Sequence, residues 1–326
     1  MNIVISPISG GTFPSQIALQ ELCVSTFGKP NILMGTSGGN ISNYLCFAAE
    51  WNSYRIKHLM NLLDSNYFAQ KYQPVDPYIS SMVSIFMRGY AYSKGKGMDK
   101  LFSRMYTPSS LKEMEIWTGT YNTDRHEPVF FCNKDSSILN IESSKNVNYL
   151  NYSVKDCSKV SCASACIPGL IPSVNIKGSH YVDGGIFYAS PLSYFSDHIT
   201  KTTENFHLYY ISGYNVDIAS IDDDHVSDSQ FMCTIVNTTQ ELTRSINIYD
   251  RKEAINILGK NIEYKEYIKP NLDEIKKEKE KYKRTLIEFY PLKYRYIDIL
   301  NFTGKDVKYL YKKTKAKFGC RLWGAY

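Results

Sequence analysis

The chain has 326 residues, 43% hydrophobic and 21% charged, with a formal net charge of +6. That balance excludes a disordered chain. It also excludes a helical membrane span, because no stretch approaches the roughly 18 apolar residues needed to cross a bilayer.

Length and composition fit one α/β unit over 1–326 with a core of ordinary size. No Lys or Arg precedes Lys29, and the apolar stretch Ile3–Ile8 is too short for a secretory signal, so a cytoplasmic or peripheral membrane location is expected. The eight cysteines form no CxxC pair and no zinc-like spacing, which makes them buried free thiols in a reducing compartment and leaves no metal site in view.

In chain order, Met1–Ile8 reads as a short buried strand, turned by Ser9-Gly10-Gly11-Thr12 into a helix that follows Pro14 and runs over Ser15–Cys23. Asn31–Met34 is a second apolar run. It meets Gly35-Thr36-Ser37-Gly38-Gly39 and then an apolar stretch of helical length, Ile41–Trp51. Strand, glycine-rich turn and helix, twice in succession, predict an α/β fold: a central, largely parallel sheet flanked by helices.

Residues 52–115 read as helical or irregular, and Glu115–Gly119 and Pro128–Cys132 as strands about the polar turn Asn122–Glu127. A helix is expected over Val154–Cys166, a strand entering Asp183-Gly184-Gly185 at Tyr181-Val182, another at His207–Ile211, and a helix over Gln230–Leu258. Asp217–Asp228 reads as a polar, mobile insertion. Asn271–Arg284 reads as a charged helix whose apolar side runs through Ile275, Tyr282, Leu286 and Phe289.

Two short segments carry chemistry. Gly35-Thr36-Ser37-Gly38-Gly39 fits G-x-S-x-G with an apolar run before it and a helix after it, the setting in which a strained turn exposes a serine hydroxyl as a nucleophile. The bland alternative is a tight turn of small residues. A Ser–acid–His triad would draw on His198, His207 or His225, none of which sits in a compelling local pattern. Asp183-Gly184-Gly185 is the second segment, a carboxylate in a turn that leaves its oxygens free; alone it is an ordinary turn.

The segments gain meaning together. Gly10-Gly11, the G-x-S-x-G turn, Ala163-Ser164-Ala165-Cys166-Ile167-Pro168, and Asp183-Gly184-Gly185 followed by Ser190-Pro191 occur in order, and in this the chain resembles the patatin-like phospholipase family. The resemblance is good over about 1–195; 196–326 is expected to complete or cover that core. It implies a patatin-like α/β/α sandwich and a Ser–Asp dyad, with Ser37 as nucleophile and Asp183 as proton acceptor. The motif residues are then Gly35 and Gly39 about the serine and Gly184 and Gly185 after the acid.

The same resemblance implies an oxyanion hole from Gly10, Gly11 and Thr12, no cofactor or metal, calcium independence, and a phospholipid or lysophospholipid substrate. The chain departs from the family in having two glycines rather than three in the first loop, no Arg or Lys just after it, and Ser190 where Asn is usual. Two other readings stay open: an esterase or thioesterase acting on soluble acyl compounds, and an inactive patatin fold that binds lipid.

The segment 305–326 holds seven basic residues against one acidic, interleaved with Tyr309, Tyr311, Phe318 and Trp323. A terminal helix with its apolar side packed inward is the first reading. Peripheral membrane contact comes second, and nucleic acid last.

Overall fold

The computed structural model describes residues 1–63, 98, 101–103, 106–168, 171–202, 205–215, 217, 230–293 and 303–326. Its first half runs β1 (Asn2–Ser6), α1 (Phe13–Phe27), β2 (Ile32–Thr36), α2 (Gly38–Ala48), α3 (Ser53–Met60), α4 (Pro108–Glu113), β3 (Glu115–Asn122), β4 (Glu127–Cys132) and β5 (Val147–Tyr149). Then come α5 (Val154–Ser164), β6 (Val174–Ile176), β7 (Ser179–Asp183), α6 (Leu192–Thr202), β8 (Phe206–Ile211) and α7 (Gln230–Asn256). The chain closes with β9 (Ile262–Ile268), α8 (Leu272–Lys279), β10 (Arg284–Pro291), α9 (Gly304–Ala316) and β11 (Phe318–Ala325).

One sheet of 11 strands results, in the order β5-β4-β3-β2-β1-β8-β10-β11-β9, with the β6–β7 hairpin joined to β3. The central block β3-β2-β1-β8-β10 is parallel, and β4, β11 and β9 add antiparallel pairs at the flanks. The inner strands β1, β2 and β8 are buried almost throughout because helices cover both faces. Val4, Leu33, Tyr209 and Ile287 point into one core, with α1 and α2; Ile3, Ile5, Met34, Leu208, Tyr210 and Leu286 point into the other, with α6. This is the two-residue alternation of a strand read from both sides.

The C-terminal third belongs to the same sheet, since β8 pairs with β1 and β10 with β8. Two sequence expectations need correction here. The charged helix ends at Lys279, and Leu286 and Phe289 lie on β10, between β8 and β11. The spacing of Tyr282, Leu286 and Phe289 imitates a helical stripe, but the eight-residue run from Arg284 to Pro291 finds strand partners on both sides.

The terminal segment is likewise two elements. Its helix α9 buries Val307, Leu310 and Tyr311, and its strand β11 buries Leu322 and Trp323 within the sheet. α9 is fastened to α1: Ser15 and Thr314 share a hydroxyl hydrogen bond of 2.9 Å, and the Lys315 ammonium lies 2.5 Å from buried Glu21. Arg321 does not face solvent. It pairs with fully buried Glu288 at 3.0 Å, with Glu266 at 3.0 Å and with Asp217 at 2.7 Å, and its guanidinium lies 4.1 Å from the Tyr290 ring centroid. Tyr309 stays exposed among lysines.

The side chains of seven of the eight cysteines are described, and all seven are buried. The Asp-rich insertion, apart from Asp217, lies outside the described residues, as does His225. No described helix is long and apolar enough to cross a membrane.

Candidate active site

The parallel strands β1, β2 and β8 all end on one edge of the sheet, where open α/β sheets bind ligands. β1 lies where the strand order reverses, so the loops after β1, β2 and β8 converge there. The contact is close: a Cβ placed on Gly213, after β8, would stand 2.2 Å from the Thr12 hydroxyl, in the loop after β1.

Ser37 occupies the single residue between β2 and α2, at φ 57° and ψ −128°. For a side chain other than glycine this backbone is strained, and such strain persists only where the surroundings enforce it. They do. The Ser37 N–H donates to Ser164 Oγ at 3.0 Å, and Ser164 Oγ donates onward to the Gly119 carbonyl at 2.7 Å. The helix must also press on the end of β1: a Cβ on Gly39 would sit 2.0 Å from the Ser6 carbonyl oxygen and 2.4 Å from that of Pro7. Only glycine allows that approach. Ser37 therefore caps α2 from outside, with the positive end of the helix beside its side chain.

Asp183 is the last residue of β7, placed opposite Thr120 of β3. Its N–H donates to the Cys166 carbonyl at 3.0 Å, and its Oδ1 accepts the Gly185 N–H at 2.8 Å. The side chain is buried, at 3% exposure. Burial pushes its pKa up to about 7, against the pull of the Ser37 hydroxyl and the Gly185 N–H, which both favour the charged form. Ser37 and Asp183 are thus brought within reach of each other by different strands of one sheet.

The loop after β1 folds against the serine turn. A Cβ on Gly38 would meet Ser9 Oγ at 2.5 Å and the Gly10 carbonyl at 3.0 Å. Residues Gly10–Thr12 form one turn of 3-10 helix, with Gly10 at φ +49° and open space where a side chain would stand. A helical turn leaves its first N–H groups, here those of Gly10 and Gly11, without an intrahelical acceptor. Thr12 differs from them, because its N–H (3.0 Å) and its hydroxyl (2.9 Å) both donate to the Ser9 carbonyl.

Of the candidate histidines among the described residues, neither His207 nor His198 is gathered to this edge. His207 stands at the start of β8, opposite Asn2, at the other end of the strands; its Nδ1 is 2.9 Å from the Thr285 hydroxyl. Burial, with Lys279 and the N-terminal ammonium nearby, lowers its pKa to about 4. His198 lies exposed on α6, beside Phe195. Among the described residues no group of three or more His, Cys, Asp or Glu is placed to hold a metal ion.

Ser164 is the site residue whose part sequence reasoning did not name. Its signal was present in the small-residue run Ala163–Ala165, but a hydroxyl bridging a strand carbonyl to the serine turn is a long-range relation. No spacing rule reports it.

The Patatin-like phospholipase family model matches residues 17–196. That is more than half of the chain, and the chain belongs to this family. The matched region contains Ser37 and Asp183 and begins after Gly10–Thr12. No curated protein sequence matches the chain. Among solved structures, VipD from Legionella pneumophila is similar at 12% identity and a TM-score of 0.35, over 96% of this chain and 67% of VipD. A likeness that weak carries no argument about function.

Proposed function

We propose that this chain is a lipid acyl hydrolase that releases fatty acid from phospholipid or lysophospholipid through a Ser37–Asp183 dyad. The observation that carries the reading is the buried Asp183 carboxylate, poised at a pKa of about 7, within reach of a serine hydroxyl on a strained strand-to-helix turn. An ordinary carboxylate, with a pKa near 4, is a poor base for a serine. One poised near neutral pH is much better matched to the task.

In this mechanism Ser37 Oγ attacks the ester carbonyl as Asp183 takes its proton. The tetrahedral oxyanion is held by the N–H groups of Gly10 and Gly11 and by the positive end of α2. Thr12, with both donors given to Ser9, is left a supporting part. Asp183 then returns the proton to the leaving alcohol. Water, deprotonated by the same carboxylate, hydrolyses the acyl-serine. No metal takes part, so chelation should leave the rate unchanged.

The whole chain acts as one catalytic unit, because β8, β10 and β11 continue the sheet that carries the dyad. Peripheral membrane contact through 305–326 has little apolar surface to work with. Leu310, Tyr311, Leu322 and Trp323 are in the core, so contact there would rest on the lysines of α9 and on exposed Tyr309 and Tyr326.

Fatty-acid release from phospholipid vesicles in EDTA, measured beside hydrolysis of short soluble esters, tests the substrate class. Release that exceeds ester hydrolysis supports the lipid reading. Efficient cleavage of soluble esters with vesicles untouched would replace it with a soluble esterase.

A further inference from the structure

We propose that α7 is the brace that fixes the oxyanion loop relative to the acid loop, and that Asn247 and Asp250 are positioning residues for the dyad. The inference rests on the reading that Ser37 and Asp183 perform acyl transfer.

Asn247 and Asp250 are three residues apart on α7 and so share one face of the helix. Both are buried, at 0% and 2% exposure. Asn247 Nδ2 donates to the Ile8 carbonyl at 3.0 Å, two residues before Gly10. Asp250 accepts from Ser190 at 2.8 Å through Oδ2 and from Ser193 at 2.6 Å through Oδ1. Ser190 ends the loop that begins at Asp183, and its Oγ also accepts the Leu192 N–H at 3.2 Å, fastening the start of α6.

One helix face thus holds the two loops that carry the oxyanion donors and the base. The loops are further tied to each other. Ile8 N–H donates to the Ala189 carbonyl at 2.7 Å, and the Ile8 side chain fills the space where a Cβ on Gly185 would otherwise stand, 2.1 Å from Ile8 Cδ1.

The brace is itself held in place. Asn247 Nδ2 also lies 2.8 Å from the Thr243 carbonyl one turn back and against the Tyr214 hydroxyl, so its two N–H groups are shared among three acceptors. The Tyr210 phenol of β8 reaches the Asn247 carbonyl and its Oδ1, both at 3.3 Å. In a dry interior such bonds are strong and poorly replaced by water. Neither Asn247 nor Asp250 need touch the reacting atoms. What they set is the distance between a proton acceptor and a pair of N–H groups, a geometry in which an error of about 1 Å costs on the order of 100-fold in rate.

The test uses the full-length chain with Asn247→Asp, which keeps the shape and removes the donor to Ile8, and Asp250→Asn. Ser190→Ala, which deletes the bond to Asp250 and the acceptor of the Leu192 N–H but leaves α7 itself unchanged, serves if either fails to fold. The readouts are kcat and KM on a soluble ester, inhibition by a trifluoromethyl ketone that forms the tetrahedral oxyanion adduct, binding of an unreactive ether analogue of the substrate, and thermal unfolding.

A positioning role predicts kcat lowered by roughly 10–100-fold, KM within about two-fold, and trifluoromethyl ketone affinity falling in parallel with kcat while ether-analogue binding stays constant. Folded variants that keep the parental kcat and trifluoromethyl ketone affinity would overturn the inference. So would loss of ether-analogue and trifluoromethyl ketone binding together, which marks a merely structural role. A folded parent that cleaves no ester and forms no adduct sinks the dyad reading, and this inference with it.

Discussion

Replacing Asp183 by Asn should stabilise the protein at neutral and alkaline pH while removing activity. In the folded chain burial raises this carboxyl from its ordinary 3.8 to about 7. A folded-state pKa above the unfolded one means that the native state holds its proton more tightly. The stability so gained is fully present below about pH 4 and is lost as pH rises through 7. Above pH 8 the parent carries a buried charge whose cost, at about 1.36 kcal/mol per pH unit between the two pKa values, is about 4 kcal/mol.

Asn keeps an oxygen for the Gly185 N–H and never ionises. Urea unfolding of parent and variant from pH 4 to pH 9 should give curves that part progressively up to about pH 7 and run parallel beyond it. Every other titrating group cancels between the two proteins. Curves parallel over the whole range would mean that Asp183 ionises as it does in water, and the poised base would be refuted.

The same carboxyl should govern the rate. Log kcat/KM on a soluble ester should rise with unit slope and level off above about pH 7, and a flat profile from pH 5 would contradict a base with that pKa. Gly39→Ala should destabilise the fold by more than the 1–3 kcal/mol usual for overpacking, because the added Cβ meets backbone oxygen at 2.0 Å; unchanged thermal unfolding would refute that packing. Arg321→Met should cost about 3–5 kcal/mol, because it leaves Glu288 buried with Arg251, at 3.5 Å, as its remaining cation. An unaltered urea midpoint would show that Glu288 is neutral in the folded chain.

The first half of the sheet was legible because its strands are buried on both faces and bounded by glycines. Met1–Ile8, Asn31–Met34 and Glu115–Gly119 each announce a strand, and each is one. The serine turn was legible for a related reason, as the close approach of α2 to β1 needs Gly39 and leaves a mark in the sequence. The last third is less legible. β9 is the edge strand, and its Glu263, Lys265 and Glu266 give it no apolar run. β11 carries Arg321 at its centre, a residue that looks solvent-bound until Glu288 and Glu266 of neighbouring strands are brought beside it.

At the site, Ser37 and Asp183 could be named from short motifs. The bonds from α7 to Ile8 and Ser190 could not. Hydrogen bonds between elements more than 50 residues apart leave no local pattern.

The most direct test of the central claim is to treat the folded, full-length protein with a fluorophosphonate and locate the adduct by mass spectrometry, beside Ser37→Ala and Asp183→Asn. The account predicts a single adduct on Ser37, absent from Ser37→Ala and formed far more slowly in Asp183→Asn. No adduct on Ser37 in the parent, or labelling at the parental rate in Asp183→Asn, would contradict it.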